Sequence, residues 1–502
     1  MRLREQIRVM TLGILLITLS YSLLSGQEIS HISTQQASTN KIINAEASGT
    51  SVYINQIHFG STSDPLNGLT ITWKSYGASD TIEWGYSDSY EMGKFPGVQR
   101  NAPAGSYFNY SFPSLKADST IHYRIFDSLM LDWTEAKTYT CAPDTTGTKF
   151  SFIVMGDSQV DINTWHRVSD EANKHNTDFS LLVGDMTADG SIFSNWNSWF
   201  GYGREFLQKN LVYYTLGNHD CTGNGGSLYR SIFTMPMNPS NNEYYYSFTY
   251  KNAVFICLNS EEGTVGINPQ KQYEWLLDVL QKNQDKTWKF VWLHRPFCAT
   301  GYHGDEMLYK MDTWFQSFDD YGVDMIFSGH VHGYQRSVPV QKNRTIVAEY
   351  GSNPDQGRCQ VVTGGAGGDL REIYPIAWLA KFAKIHNYCK LEIDSTTLKF
   401  SAYDEFSSKF DSLAIFKSNA VSARNVRDGA QIHLYPNPTK DRILIRGPVS
   451  DPIVFNLLGQ DLSKKVKFTY RGKNQMEADL SKLPKGIYLL KSKATTLKLY
   501  KQ

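Results

Sequence analysis

The chain has 502 residues, 41% of them hydrophobic and 20% charged, with 50 Lys+Arg against 49 Asp+Glu for a formal charge of +1. That length exceeds one ordinary core and points to roughly three domains of a folded soluble protein. The balanced charge excludes recruitment of nucleic acid or an acidic membrane by a global field.

The first segment, MRLREQIR, carries Arg2, Arg4 and Arg8 and is followed by the apolar VMTLGILLITLSYSLL and the small, polar SGQ. A basic region, an apolar stretch and a cleavage zone at Ser25–Gln27 predict a secretory signal peptide over residues 1–27. The apolar stretch is shorter than the ~20 residues a membrane span needs, so no transmembrane segment is expected in the mature protein. No cysteine lies near the cut, which speaks against a lipid anchor. Residues 28–50, rich in Ser, Thr, Gln and Asn, predict a flexible linker.

From 51 to 147 short alternating runs (LTITW, TIEWGY, YFNYSF, IHYRIF, AKTYTC) are split by turn residues, the grammar of a β-sandwich. Over 148–418 the pattern changes to apolar runs separated by helical segments such as NTWHRVSDEANKH and QYEWLLDVLQKNQ, which predicts an α/β domain with buried sheet. A polar linker over 419–431 leads to a strand-rich unit at 432–502 that starts YPNPTKDRILI, a second small β-sandwich near the low end for independent folding. The six cysteines (141, 221, 257, 298, 359, 389) show no metal-knuckle spacing, and Cys257 and Cys389 fall in strand-like runs as core residues.

Within the central domain, five apolar runs each end in residues with metal-binding side chains. FSFIVMGD ends at Asp157, FSLLVGD at Asp185, LVYYTLGNHD reaches Asn218 and His219, WKFVWLH ends at His294, and DMIFSGHVH at His330 and His332. In α/β sheets, residues at the carboxyl ends of different strands converge on one crevice. Two carboxylates, an amide oxygen and imidazoles suit Zn, Mn or Fe and not Ca²⁺. If Asp185 bridges two divalent ions, the two carboxylates leave surplus positive charge to bind phosphate and to favour hydroxide near neutral pH.

The ordered set GD, GDxxx, GNHD, VxxH and GHxH resembles the signature of calcineurin-like metallophosphoesterases, and GHVHGYQRS resembles the GHVHAYERS-like ending of purple acid phosphatases. The resemblance implies an αββα sandwich for 148–418 and, for 51–147, the fibronectin-III-like domain that precedes the catalytic domain in plant-type members. It also implies that Asp185 bridges both metals, Asp157 and His332 bind the first, and Asn218, His294 and His330 bind the second. His219 would contact phosphate or protonate the leaving group, and His303 would be an outer histidine near the substrate. The chain departs from purple acid phosphatases at Ala188, where their GDxxY motif has the tyrosine that binds Fe³⁺, so a colourless divalent centre is expected. Gln159 stands where other members have a histidine; its amide either ligates the metal or hydrogen-bonds the site.

The tail (YPNPTKDRILI, DLSKLPKGIYLLK, KLYKQ) resembles the C-terminal sorting domain of Bacteroidetes type IX secretion cargo, which implies the type IX secretion machinery as a partner and a secreted or outer-surface location. The resulting expectation is a phosphomonoesterase acting on a small phosphate ester. The alternatives are a phosphodiesterase or nucleotide pyrophosphatase at the same site, with choice made by loops 221–242 and 298–310, and a non-catalytic surface-binding protein.

Overall fold

The structure, a computed structural model, describes residues 54–417 except 78, 103–104, 144–145 and 305, and residues 433–501 except 436–438, 448–451, 457–459, 473–474 and 493–494. The expected signal peptide and both expected linkers lie outside the described residues. The chain divides into two compact units, Met1–Lys417 and Ser418–Gln502.

The first unit begins with two antiparallel sheets. One runs in the order Asn55–Ser61, Leu69–Ser75, Gly105–Ser111, Val98–Ala102; the other contains Gly93–Pro96, Thr81–Gly85, Thr120–Asp127, Asp132–Trp133 and Lys137–Thr140. Alternation along Thr120–Asp127 buries Ile121, Tyr123 and Ile125 and leaves their neighbours at the surface, the period-2 signal of a half-buried strand. These sheets belong to the same compact unit as the central domain. His58 inserts between Phe200 and Phe233, at ring separations of 4.9 and 5.4 Å. Arg100 reaches Glu243 at 3.2 Å and the Arg230 carbonyl at 2.9 Å.

The central domain has two facing sheets. The first has the order Val212–Tyr214, Phe179–Leu182, Phe150–Met155, Asn387–Asp394, Thr397–Asp404, Lys409–Phe416, and its first three strands are parallel. The second contains Tyr246–Tyr250, Ala253–Cys257, Trp288–Trp292, Met325–Ser328, Cys359–Thr363, Tyr334–Ser337 and Leu379–Ala383, with a parallel centre from Ala253 to Thr363. Near-continuous apolar runs are what strands covered on both faces require. Phe152 of the first sheet meets Phe255 and Phe290 of the second at 5.2 Å each and Phe327 at 6.3 Å. That aromatic layer locks the two sheets in register with each other, so their strand ends open onto the same edge.

Helices begin where the sequence supplies caps. Asp161 accepts the N–H groups of Asn163 and Thr164 at the start of Ile162–Asn173, and Asn268 followed by Pro269 opens Pro269–Lys282. The second unit has two antiparallel sheets around Ile443, Ile445, Val454, Met476, Leu490 and Leu499. All six cysteines are buried, and none is joined to another by a disulfide. Among the described residues no helix is long and apolar enough to cross a membrane.

Candidate metal centre

The five strands of the motif reading deliver their residues from both sheets. Asp157, Asp185, Asn218 and His219 follow Phe150–Met155, Phe179–Leu182 and Val212–Tyr214; His294, His330 and His332 follow Trp288–Trp292 and Met325–Ser328. Asp157, Asp185 and His330 take left-handed backbone conformations, with φ of 55°, 52° and 68°. Such angles are costly for these residue types and gather at functional sites. Glycine is required at two of the approaches: a Cβ on Gly217 would collide with the Asp185 carboxylate, and one on Gly329 with that of Asp157.

The side chains form two groups that share one oxygen. Around His294 Nε2 lie Asn218 Oδ1 at 3.1 Å, His330 Nδ1 at 3.2 Å and Asp185 Oδ2 at 3.2 Å. In the second group, His332 Nε2 is 3.5 Å from Asp157 Oδ1 and 3.3 Å from Gln159 Nε2, which in turn stands 3.3 Å from Asp185 Oδ2. The metal-ligand expectations from the sequence are therefore all brought together, and Asp185 stands between the two groups.

Each imidazole is held at one nitrogen by a group outside the centre. His294 Nδ1 donates to the Val183 carbonyl at 2.9 Å, His332 Nδ1 to that of Asp369 at 2.9 Å, and His219 Nδ1 to that of Ala188 at 2.8 Å. His330 presents Nδ1 inward and Nε2 to Glu306 Oε2 at 3.2 Å. Partners of this kind fix ring tautomer and orientation and leave the other lone pair for a ligand. The His219 backbone N–H is also spent on Asp185 Oδ1, at 2.8 Å.

The electrostatics are those of carboxylates buried beside imidazoles. Burial raises Asp157 well above the carboxylate range, and the neighbouring Asp185 adds to it. Burial opposes charge on His294, but the carboxylates of Asp185 and Asp157 outweigh it and push its pKa up to about 10. Burial and the positive neighbours hold His330 far below the usual histidine value. The buried carboxylates that favour a proton on His294 would equally favour a metal cation that displaces it.

His303 and Gln159 are placed with less symmetry. The His303 ring is 4.7 Å from that of His330 at the partly exposed rim, and its Nδ1 bonds Glu306 Oε1 at 2.6 Å. Gln159 is 2% exposed; its amide nitrogen faces Asp185 and His332, while Oε1 is buried with no hydrogen-bond partner. In this arrangement Gln159 hydrogen-bonds the site, and rotation of the amide by half a turn would present the oxygen instead.

Four residues of the site went unassigned in the motif reading. Asp220, the last letter of GNHD, accepts the backbone N–H groups of Asp185 at 2.9 Å, Met186 at 2.9 Å, Thr187 at 3.2 Å and Gly217 at 3.0 Å. Burial and Asp185 raise its pKa to about 7. Arg295, directly after His294, is clasped by Glu261 and Glu306 and lies 3.2 Å from His330 Nε2. For Glu306 the available signal was its spacing three residues after His303; for Asp220 it was an acid adjoining two site residues.

Residues 150–334 match the calcineurin-like phosphoesterase family and residues 433–502 the secretion system C-terminal sorting domain. Phosphoenolpyruvate phosphatase of Allium cepa is 29% identical over 212 residues, 38% of this chain and 43% of that protein. Fe(3+)-Zn(2+) purple acid phosphatase 12 of Arabidopsis thaliana is 26% identical over 325 residues, 56% of this chain and 64% of that protein. The chain thus spans less than two thirds of the length of either relative. Purple acid phosphatase PPD1 from yellow lupin seeds has the same fold with a TM-score of 0.60 at 17% identity, over 73% of this chain and 75% of that one. The chain therefore carries a calcineurin-like phosphoesterase domain with purple acid phosphatases among its homologues, followed by a type IX secretion C-terminal sorting domain.

Proposed function

We propose that this protein is an exported, dimetal-dependent phosphatase of small phosphomonoesters. The observation that carries the reading is the pair of donor groups sharing the Asp185 carboxylate, with every inward nitrogen oriented by a partner outside the centre. The donor set fits two divalent ions of the Zn, Mn or Fe type: two carboxylates, an amide oxygen and three neutral imidazoles offer mixed O and N donors. Asp157 and His332 would hold the first ion, Asn218, His294 and His330 the second, and Asp185 both. The unpartnered Gln159 Oε1 makes its amide the natural further donor to the first ion after rotation.

When bound, the two ions supply charge for the phosphoryl oxygens and an activated water as nucleophile. The chain's own groups do the rest. Water oxygen joins phosphorus while the ester P–O bond breaks, and His219, with Nδ1 fixed on Ala188, gives a proton from Nε2 to the departing oxygen. His303, held by Glu306, contacts the substrate from the rim. Without a phenolate at position 188 the first site carries one negative charge fewer, which favours a divalent ion over Fe³⁺. The 51–147 segment would be the fibronectin-III-like companion of this domain. The sorting-domain match over 433–502 supports export through the type IX machinery to the outer surface or medium, after use of the signal peptide at 1–27.

The test compares p-nitrophenyl phosphate with bis-p-nitrophenyl phosphate as substrates of the Mn²⁺- or Zn²⁺-loaded protein. The monoester should be the better substrate, and Asn218→Ala should lose at least ~100-fold in kcat/KM, the scale of removing a metal ligand or its orienting partner. A diester preference would convert the reading to a phosphodiesterase or nucleotide pyrophosphatase, and no turnover of either would refute an enzyme.

A further inference from the structure

A line of rings leads out of the centre. His294 and His330 are 5.0 Å apart by centroid, His330 and His303 4.7 Å, and His303 and Tyr302 4.0 Å in an edge contact. At the outer end Tyr302 is 66% exposed, and the Arg371 guanidinium stands 5.8 Å from its ring centroid. Arg371 belongs to a different segment, and its backbone N–H donates to the His332 carbonyl at 3.0 Å.

This rim is fastened in place. Thr300 Oγ1 donates to the Tyr374 carbonyl at 2.8 Å and accepts the Tyr374 N–H at 3.1 Å. Gln335, three residues past His332, grips Thr300 at both its N–H and its carbonyl, at 2.9 and 3.0 Å. Tyr302 and Arg371 therefore sit on two segments tied to each other and to the histidine turn. Among the described residues Arg371 has no carboxylate partner, whereas Arg295 beside the same centre is neutralised by Glu261 and Glu306. A guanidinium with no carboxylate partner among the described residues, next to an exposed ring, suits a planar group that carries negative charge: a ring face stacks and the guanidinium binds the anion.

We infer that Tyr302 and Arg371 form a leaving-group subsite for phosphate esters and anhydrides whose departing side carries a planar ring and a further negative charge, the chemistry of a nucleoside diphosphate cleaved at its terminal anhydride bond. The inference rests on the phosphatase reading above. In the reaction, water supplies the oxygen that joins the terminal phosphorus. The bridging P–O bond breaks with its electrons on the nucleoside monophosphate, whose remaining phosphate lies at Arg371 and whose base lies on Tyr302.

The experiment measures kcat/KM of the metal-loaded full chain for ADP and for glycerol 2-phosphate, which has neither ring nor second charge. The wild type should favour ADP. Arg371→Gln should cut the ADP-to-glycerol-phosphate ratio about tenfold and Tyr302→Ala about fivefold, the scale of one charge-assisted contact and one stacked base. Arg371→Lys should keep most of the ratio. A wild-type ratio near one, or a ratio that neither substitution changes, overturns the subsite while leaving the phosphatase reading intact. If the wild type hydrolyses neither compound, the phosphatase reading fails, and calorimetric titration with ADP decides the subsite separately. Binding weakened about tenfold in Arg371→Gln supports it, and equal binding in both proteins overturns it.

Discussion

Asp220 shows how much of this centre is held by groups that touch no substrate. Its two oxygens accept four backbone N–H groups from the GDMT and GNHD turns, and so fix the turn of Asp185 against that of Asn218. Replacing one oxygen by an NH₂ would set a donor against donors. Asp220→Asn should therefore weaken metal affinity by ~10–100-fold, the usual effect of losing an orienting group, with helix and strand content retained; a metal titration followed by calorimetry reads this directly. The Ala188 position invites the opposite change. Its side chain is exposed, and only its carbonyl is used, by His219. Wild-type protein loaded with iron should lack a visible phenolate-to-iron band, and Ala188→Tyr should acquire one in the absorption spectrum. At this scale the candidate ligands were legible because each is a residue of metal-binding type at or just past the end of an apolar run. Asp220, Arg295 and Glu306 were not assigned: adjacency to site residues and the spacing after His303 were the only local hints, and what each holds is a relation between loops.

Strand ends decide where the chemistry sits. Three turns bearing candidate ligands leave one sheet and two leave the other, and the Phe152–Phe255–Phe290 contacts hold the sheets face to face. The apolar runs and their terminal GD, GN and GH steps were readable as strands closing on a crevice, because buried parallel strands need continuous apolar residues. The facing of two sheets came with the family resemblance, since period and composition within a strand carry no information about which sheet it joins. The strand Asn55–Ser61 illustrates a second unreadable feature, its own docking on the central domain through His58. Burial lowers the His58 pKa from 6.5 to about 4. The unfolded chain thus takes up a proton below 6.5 that the folded chain refuses until about 4. The stability this neutral histidine contributes is complete above pH 6.5 and is lost as pH falls toward 4, to the extent of about 3 kcal/mol. Urea unfolding at pH 7 and pH 4.5 should show this decline, and His58→Gln should flatten the part of it due to the histidine.

Taken whole, the chain joins an N-terminal pair of antiparallel sheets and a two-sheet phosphoesterase domain in one compact unit, with a separate C-terminal sorting unit. The segments were distinguishable in the sequence by a change of grammar near residue 150 and again after the polar stretch that follows residue 418. That the first two segments share a unit was not, because Arg100–Glu243 and His58–Phe233 are long-range pairings. A chain lacking its N-terminal sheets would expose the Phe200 and Phe233 surface. On the proposed reading, two donor groups sharing Asp185 would hold two ions, and hydrolysis would need both. Titration of metal-stripped protein with Mn²⁺ while p-nitrophenyl phosphate hydrolysis is followed tests it most directly. Activity should rise until two equivalents are bound and should fail to appear in Asp185→Asn; saturation at one equivalent, or no hydrolysis at any loading, would refute a two-ion centre.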